Sequence, residues 1–373
     1  MISLDGLTPG IVDAHLHQWH PSRSSGSLDG MRRRLGTRIR NRTQPFLLSR
    51  AVRDYFLTPG AVTRPYEPRQ YLADIAAVPS VCGVPVESVV VVETQWRPLG
   101  SRVQYSAPSD SDPAAMTKYL AALPFGQGLA PSLGALVVGG DPRSPDFATS
   151  LERRLDVSDR IRAVRIQAAR HPDPRVLDAI EADGALVSSA ALTGLGEAVR
   201  HGLALEAFVY SHQLYDVVTL AREFPEATII VDHFGSPVGA FGPVGARTGA
   251  TASARADILR LWRERMVTLC AHPNVVVKLS GLALPVLGYG RDVWGNIGSQ
   301  ATLTEMIGPL VEFVVAHFGA ERVMVGFNLP IDRPNASADM VAGALLEVLS
   351  PWGADMLRNV FRDTARRVYR ITD

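Results

Sequence analysis

Residues 86–93 read Val-Glu-Ser-Val-Val-Val-Val-Glu, a mostly β-branched run that ends in a carboxylate. Such a run predicts a parallel strand that is covered on both faces. Similar apolar runs recur along the chain, and helical patterns separate nearly all of them. The predicted strands are residues 11–19, 86–93, 133–138, 161–167, 203–210, 227–231, 275–280 and 322–327. Eight strands that alternate with helices predict an α/β fold, a closed (β/α)8 TIM barrel rather than an open doubly wound sheet.

The segments between the strands predict where the barrel departs from its simplest form. Residues 20–67 are rich in Pro, Ser, Gly and Arg and lack periodicity, which predicts a long insertion or lid after strand one. Extended loops are predicted after strands six and seven, over residues 235–249 and 281–299. The predicted helices are 71–78, 116–122, 147–156, 174–183, 188–201, 213–224, 254–271, 303–318, 340–349 and 354–368. We expect residues 1–373 to form a single domain.

The composition restricts the class of partner. Of the 373 residues 46% are hydrophobic and 20% are charged, and the formal net charge of +1 gives no field that would attract nucleic acid or an acidic membrane. The N-terminus shows no secretion signal, and no stretch reaches the ~18 consecutive apolar residues of a membrane span. Cys82 and Cys270 lie far apart in apolar settings, which predicts buried thiols. These features predict a cytoplasmic protein that acts on a small molecule, with a homo-oligomer left open.

The first predicted strand carries a His-x-His pair in Ile11-Val12-Asp13-Ala14-His15-Leu16-His17-Gln18-Trp19. Alternation along a strand places the imidazoles of His15 and His17 on one face. Paired imidazoles suit zinc and other first-row transition metals, and they also suit proton transfer near neutral pH. The alternative is that the two histidines only decorate the end of a strand.

Polar residues also follow the other predicted strands. In a (β/α)8 barrel the chemistry lies at the carboxyl ends of the strands and in the loops after them. The polar residues at these ends are His15, His17, Glu93, Arg165, Gln167, Glu206, Asp232, His233, Lys278, Ser280, Asn328 and Asp332. Their concentration at the strand ends predicts an active site there.

Four motifs in order resemble the amidohydrolase superfamily, and more closely its amidohydrolase-2 branch. They are Val-Asp-Ala-His-Leu-His-x-Trp at 12–19, Ile-Val-Asp-His-Phe-Gly at 230–235, Val-Val-Val-Lys-Leu-Ser-Gly at 275–281 and Phe-Gly-Ala-Glu-Arg-Val-Met-Val-Gly-Phe-Asn-Leu-Pro-Ile-Asp at 318–332. That branch holds lactonase-like hydrolases and metal-dependent decarboxylases. The resemblance implies a TIM-barrel enzyme.

The resemblance also implies roles for the histidines. His15 and His17 match a pair that binds a divalent ion, usually zinc, in the metal-bearing relatives. His233 matches a histidine that binds metal or acts in acid/base and substrate roles. Glu206 is a weak candidate for a further ligand, because no histidine matches the metal-binding position of strand five. Relatives that hydrolyse lactones without a metal keep the His-x-His pair as substrate contacts, so a metal-free site is the alternative.

Strand eight departs from the common pattern of the family. The usual motif has an aspartate that binds metal or activates water, and this chain has Asn328 in that place. An amide cannot accept a proton as a carboxylate does. Asn328 is therefore predicted to orient a substrate or a histidine. Asp332, four residues later, is a candidate base, with a loop or capping role as the alternative.

The predicted catalytic set is thus His15, His17, His233, Asn328 and Asp332. The predicted substrate contacts are Arg165, Lys278, Glu93, Trp19 and Gln167. Arg165 offers a planar fork for a carboxylate or a ring oxygen, and Lys278 is a second anchor; a structural ion pair is the alternative for both. Glu93 is assigned to support of the histidines rather than to the role of base.

The predicted activity is hydrolysis of a small cyclic ester or a related C–O or C–N bond, with water activated by a metal ion or a side chain. Two alternatives stay open. One is a metal-dependent, non-oxidative decarboxylase of an aromatic or unsaturated acid. The other, prompted by Asn328, is a barrel without catalytic activity that only binds a ligand.

Overall fold

Eight parallel strands form one sheet in the order β1 to β8, each hydrogen-bonded to the next along the chain. The computed structural model describes residues 3–20, 64–94, 112–289 and 297–372. The strands are β1 Ile11–Leu16, β2 Val86–Val92, β3 Ser132–Gly139, β4 Ile161–Gln167, β5 Ala204–Phe208, β6 Ile229–Val231, β7 Val275–Leu279 and β8 Val323–Val325. The predicted TIM barrel is confirmed.

Alternation along each strand divides the side chains between two apolar layers. On β2, Val90 and Val92 face the interior of the barrel, where they join Ala135 of β3 and Ile230 of β6. Their neighbours on the same strand, Val89 among them, belong to the outer core between the strands and the helices. Both faces are buried, which explains why these strands are continuous apolar runs.

The ring closes between β1 and β8 through residues at and beyond the strand ends. The amide of Asn328 donates to the carbonyl of His15 at 2.9 Å, and the amide of His17 donates to the carbonyl of Leu329 at 3.0 Å. The amide of Phe327 donates to the Asp13 carboxylate at 2.9 Å. The closing contacts are thus made next to the His-x-His pair.

The helices surround the barrel, and their ranges follow those predicted except at 174–183 and at 71–78, where one helix ends at Asp74 and the next begins at Val78. They are α1 Pro68–Asp74, α2 Val78–Cys82, α3 Ala115–Ala121, α4 Phe147–Leu155, α5 Ser189–Arg200, α6 Leu214–Glu223, α7 Ala252–Cys270, α8 Gln300–Phe318, α9 Ala338–Leu349, α10 Ala354–Arg358 and α11 Thr364–Val368, with a π-helical turn at Asn359–Asp363.

The helix predicted at 174–183 is wrong, since this segment is formed of bends and turns. The amide of Ala179 donates to the carbonyl of Ala169 at 2.6 Å, outside the segment, whereas in an α-helix it would donate four residues back. The Asp178 carboxylate accepts the amide of His171 at 2.7 Å. The backbone donors and side chains of this stretch therefore tie it to the end of β4.

The C-terminal segment closes the amino end of the barrel. Ala365, Tyr369 and Ile371 are buried in the same apolar cluster as the interior residues of the strands. Gly134 at the start of β3 leaves room for Ile371, because an added Cβ would lie 2.8 Å from its Cδ1. The last helix thus supplies a floor beneath the strand residues that face inward.

Two predicted loops and the insertion can be placed in part. The loop after β6 runs through 232–251 before α7, as predicted, and the loop after β7 is described over 280–289 and from 297. Most of the predicted insertion, 21–63, lies outside the described residues. Its ends meet where Trp19 and Tyr66 pair in an antiparallel bridge.

Helix α8 is long and apolar enough, by length and composition alone, to cross a membrane. Eight of its residues are buried, among them Ile307, Val311 and Val315. All three belong to the outer apolar core. The hydropathy of this helix therefore matches its position against the barrel.

Candidate active site

The carboxyl ends of β1, β5, β6 and β7 bring four polar side chains together inside the barrel. The Lys278 ammonium Nζ lies 2.7 Å from Glu206 Oε1 and 3.6 Å from Asp232 Oδ1. It also lies 3.2 Å from His15 Nδ1. All four side chains are fully buried. Lys278 and Glu206 occupy inward positions of their strands, two residues after Val276 and Ala204 in the interior cluster.

Arg165 of β4 adds a second cation to the group. Its Nε donates to Asp232 Oδ2 at 2.6 Å, and its Nη2 lies 3.5 Å from His233 Nε2. The guanidinium carbon is 5.0 Å from the centre of the Phe208 ring. The sequence predicted either a substrate anchor or a structural ion pair for Arg165, and the ion pair is present.

The His-x-His pair converges as predicted, although β1 does not alternate regularly. A register shift between Asp13 and Leu16 interrupts its pairing with β2. His15 Nε2 and His17 Nε2 are 3.2 Å apart. This irregularity lets Ala14 join the interior cluster while His15 still reaches Lys278.

The contacts of the two rings assign their tautomers. His17 Nδ1 lies 2.9 Å from the carbonyl of Val92, which only accepts, so Nδ1 carries the hydrogen. In a neutral ring His17 Nε2 is then an acceptor, and His15 Nε2 donates to it. His15 Nδ1 is left as the acceptor for Lys278 Nζ.

His233 lies beside the pair and is held by two close contacts. Its Nδ1 lies 2.9 Å from Ser280 Oγ, and its ring centre is 4.6 Å from that of His15. Gly281 has a φ of 63°, and a Cβ there would lie 2.6 Å from His233 Nδ1. Gly326 is equally tight, because its Cβ would lie 2.6 Å from that of His15. These glycines let the strands approach the rings.

Burial decides the charge states of the imidazoles. It lowers the pKa of His17 and of His233 to about 3, and Arg165 adds to the lowering at both. Burial and the nearby Lys278 also lower the pKa of His15 well below its usual range. The three imidazoles are therefore neutral near pH 7.

The two interior carboxyls differ in the same environment. Burial and the neighbouring Asp232 raise the pKa of Glu206 to about 7. Burial acts upward on the pKa of Asp232 too, but Arg165 and Lys278 hold it well below its usual range. Asp232 is therefore the permanent anion of the group. The contact with Lys278 at 2.7 Å favours the ionised form of Glu206.

The structure does not bring Glu93 to the histidines, which corrects the predicted support role. Val92 faces the interior, so the next residue faces outward. The Glu93 carboxylate forms an ion pair with Arg154 of α4 and accepts the amide of Gly139 at 2.7 Å. Its described partners lie on the outer side of the sheet.

Trp19 is also placed apart from the cluster. Its indole nitrogen donates to the carbonyl of Arg64 at 2.8 Å, and its ring centre lies 6.2 Å from that of Tyr66. These contacts hold the two ends of the insertion together. Gln167 follows Arg165 on the inward face of β4 and stays a predicted substrate contact.

Asn328 and Asp332 form a separate buried unit. Asn328 Nδ2 donates to Asp332 Oδ1 at 2.7 Å, and the amide of Ala283 donates to Asp332 Oδ2 at 3.0 Å. Burial raises the pKa of Asp332 to about 7. The described contacts join Asp332 to the loop after β7 and give it no bond to the imidazoles, in line with the loop role that was its alternative.

Sequence reasoning gave no role to three residues of this site. The sequence places Asp232 and Ser280 at strand ends but indicates no function for them. It gives no sign of Tyr369, whose hydroxyl donates to Glu206 Oε2 at 2.9 Å from the C-terminal floor of the barrel. The signal for Asp232 was its position directly before His233.

One group among the described residues could hold a metal ion: His15, Asp232 and His233, whose donor atoms lie within 4.8 Å of one another. Two imidazoles and a carboxylate suit zinc by donor type. Their contacts do not fit a resident divalent ion. His15 Nδ1 faces Lys278, and Asp232 is bound by Arg165.

A parallel barrel with imidazoles, carboxylates and fixed cations at the carboxyl ends of its strands defines the class of protein. The family model described as Amidohydrolase matches residues 12–371, and the chain belongs to that family. The resemblance found in the sequence motifs is confirmed.

The chain is also similar to individual proteins. The uncharacterized protein y4mH of Sinorhizobium fredii is 28% identical over 264 residues, which are 70% of this chain and 77% of that protein. An L-fucono-1,5-lactonase of Burkholderia ambifaria is 32% identical over 133 residues, 36% of this chain and 37% of that protein. The crystal structure of an amidohydrolase from Burkholderia multivorans with bound zinc has a TM-score of 0.64 at 20% identity, covering 97% of this chain and 100% of that one. This last likeness shows the fold.

Proposed function

We propose that the protein hydrolyses a small cyclic ester, a lactone. The observation that carries the proposal is the buried group of neutral imidazoles and fixed cations at the carboxyl ends of the strands. Such groups transfer protons and stabilise an oxyanion. The family and the partial similarity to an L-fucono-1,5-lactonase support a ring ester as the substrate class.

We assign to His233 the role of the base that accepts a proton from the attacking water. Its Nε2 faces Arg165 Nη2 at 3.5 Å, while Ser280 holds Nδ1. The water oxygen bonds to the carbonyl carbon as its proton moves to His233 Nε2, and Arg165 stabilises the negative charge on the carbonyl oxygen. The ring C–O bond then breaks, and the ring oxygen takes the proton back from His233. The product is the open hydroxy acid.

The low pKa of His233 shapes this step. At about 3 it keeps the imidazole neutral and ready to accept throughout the neutral range. The imidazolium forms only while negative charge develops on the oxygen beside it, since that charge favours the protonated ring. The fixed pair of Arg165 and Asp232 limits how far the guanidinium can move.

A panel of five- and six-membered sugar lactones tests the proposal, with acid release followed by a pH indicator. We expect turnover by the wild type and a loss of about 10²-fold or more for His233→Asn, because a positioned proton acceptor contributes at least that much. The exposed His317, which contacts the carbonyl of Phe313, provides the control His317→Asn.

Two results would contradict the proposal. Tight binding of lactones without hydrolysis would favour the barrel that only binds a ligand. Loss of carbon dioxide from an aromatic acid, with no lactone hydrolysed, would favour the decarboxylase.

A further inference from the structure

Each donor of the group that could bind a metal faces a cation that belongs to the chain. His15 Nδ1 lies 3.2 Å from Lys278 Nζ. Asp232 lies 2.6 Å from Arg165 Nε through one oxygen and 3.6 Å from Lys278 Nζ through the other. His233 Nε2 lies 3.5 Å from Arg165 Nη2. Each of these donors therefore already has a cation of the chain at 3.5 Å or less.

The tautomer of His15 leaves its one available lone pair on Nδ1, where Lys278 contacts it. Its Nε2 donates to His17, and its Nδ1 accepts from Lys278, so both ring nitrogens are engaged. A zinc ligand must offer an unprotonated nitrogen. A metal ion at His15 Nδ1 would therefore have to displace Lys278.

Glu206 and Tyr369 hold the ammonium of Lys278 in place. Glu206 Oε1 lies 2.7 Å from Nζ, and Tyr369 donates to the other oxygen of Glu206 at 2.9 Å. The ring centre of Tyr369 is 5.4 Å from Nζ. A carboxylate and an aromatic face both favour a cation at this point. The C-terminal floor of the barrel thus holds Lys278 under the imidazoles.

We propose that Lys278 is the resident cation of this site and excludes a divalent metal from His15, Asp232 and His233. A divalent ion bound there would lie a few ångströms from the ammonium in a buried region, where like charges repel strongly. It follows that the hydrolysis proceeds without a metal ion, and this consequence rests on the proposed lactone hydrolysis. The exclusion of a divalent ion does not depend on that proposed function.

Zinc titration by calorimetry tests the inference on protein freed of metal with a chelator. We expect the wild type and the control Lys118→Met, which loses an exposed ion pair with Asp112, to show the same weak zinc binding. Lys278→Met should bind one zinc ion about 100-fold or more tightly than the wild type, because the ammonium is gone and His15 Nδ1 is released. The double variant Lys278→Met with His15→Ala should lose that gain.

A second variant and a second measurement keep the test decisive. Lys278→Met leaves Glu206 without its cation, so Lys278→Met with Glu206→Gln provides a neutral version of the same pocket. Elemental analysis of the wild type, purified without chelator, should find well below one zinc per chain. One zinc per chain that His15→Ala abolishes would overturn the inference, and so would equal zinc affinity in the wild type and both Lys278 variants. Lactone hydrolysis that survives the chelator agrees with it, and failure of every lactone would count against the proposed function alone.

Discussion

Asp332→Asn should change how the stability of the protein depends on pH. The Asp332 carboxyl is buried, and burial raises its pKa from 3.8 to about 7. Between these two values the folded protein retains a proton that the unfolded chain has released. Stability is therefore greatest below the unfolded pKa and falls as pH rises, until it levels off above the folded pKa.

The size of the effect follows from the shift. A difference of about 3 pH units corresponds to ~4 kcal/mol at about 1.4 kcal/mol per unit. From pH 5 to pH 7 the wild type should lose about 2 kcal/mol of unfolding free energy through this group alone, because the folded carboxyl is itself half ionised at pH 7. The asparagine variant lacks the term, so its curve should be flatter by that amount.

Urea unfolding of both proteins at pH 5, 6 and 7, followed by tryptophan fluorescence, measures the difference. The direct cost of the substitution, including the altered contact with Asn328 and the amide of Ala283, is the same at each pH. Contributions from the other buried groups are present in both proteins and cancel. Parallel curves for the two proteins would show that Asp332 is ionised in the folded state and that the reasoning from burial is wrong.

Two further substitutions test the floor and the closure of the barrel. Tyr369→Phe leaves one oxygen of Glu206 without its donor, so the free energy of unfolding should fall by about 1–3 kcal/mol. Because Glu206 holds Lys278 under the imidazoles, kcat should also fall while KM for the lactone stays unchanged. The control is Tyr210→Phe, which loses a bond to the carbonyl of Leu177, and equal kcat in the two variants would contradict a role of Tyr369 in positioning Lys278. Gly326→Ala places a Cβ 2.6 Å from that of His15, so it should reduce activity about tenfold or more with a folded circular dichroism spectrum, and full activity would show that the strand yields easily.

The barrel could be predicted because its strands form continuous apolar runs in the sequence. Runs such as Val89–Val92 are apolar on both faces, and no other common architecture needs eight of them separated by helices. The convergence of His15, His233 and Lys278 followed from the rule that the strand ends of a barrel share one mouth. The distances among them depend on contacts that cross the whole chain.

Two of the errors had physical causes that the sequence does not contain. Because β2 is apolar on both faces, alternation alone does not tell which face Glu93 takes, and only the structure shows that Val92 belongs to the interior. The non-helical course of 174–183 depends on a contact outside the segment, because Ala179 donates to Ala169. Local propensity cannot report such a tertiary contact.

Tyr369 shows what strand-end reasoning cannot supply. It reaches the site from the opposite mouth of the barrel, on a segment that follows the last strand. Nothing in the spacing around Tyr369 indicates a partner 163 residues earlier in the chain, at Glu206. A residue that contacts the site from the amino end of the barrel is identified only from the three-dimensional structure.

The joint between the first and last strands has a consequence for how often the site is intact. The amides of His17 and Asn328 make the closing hydrogen bonds, so a local opening there would release the backbone that holds the imidazole pair beside Lys278. The free energy of that opening therefore limits the fraction of molecules that are competent at any moment. Hydrogen exchange at these two amides would measure this fraction directly.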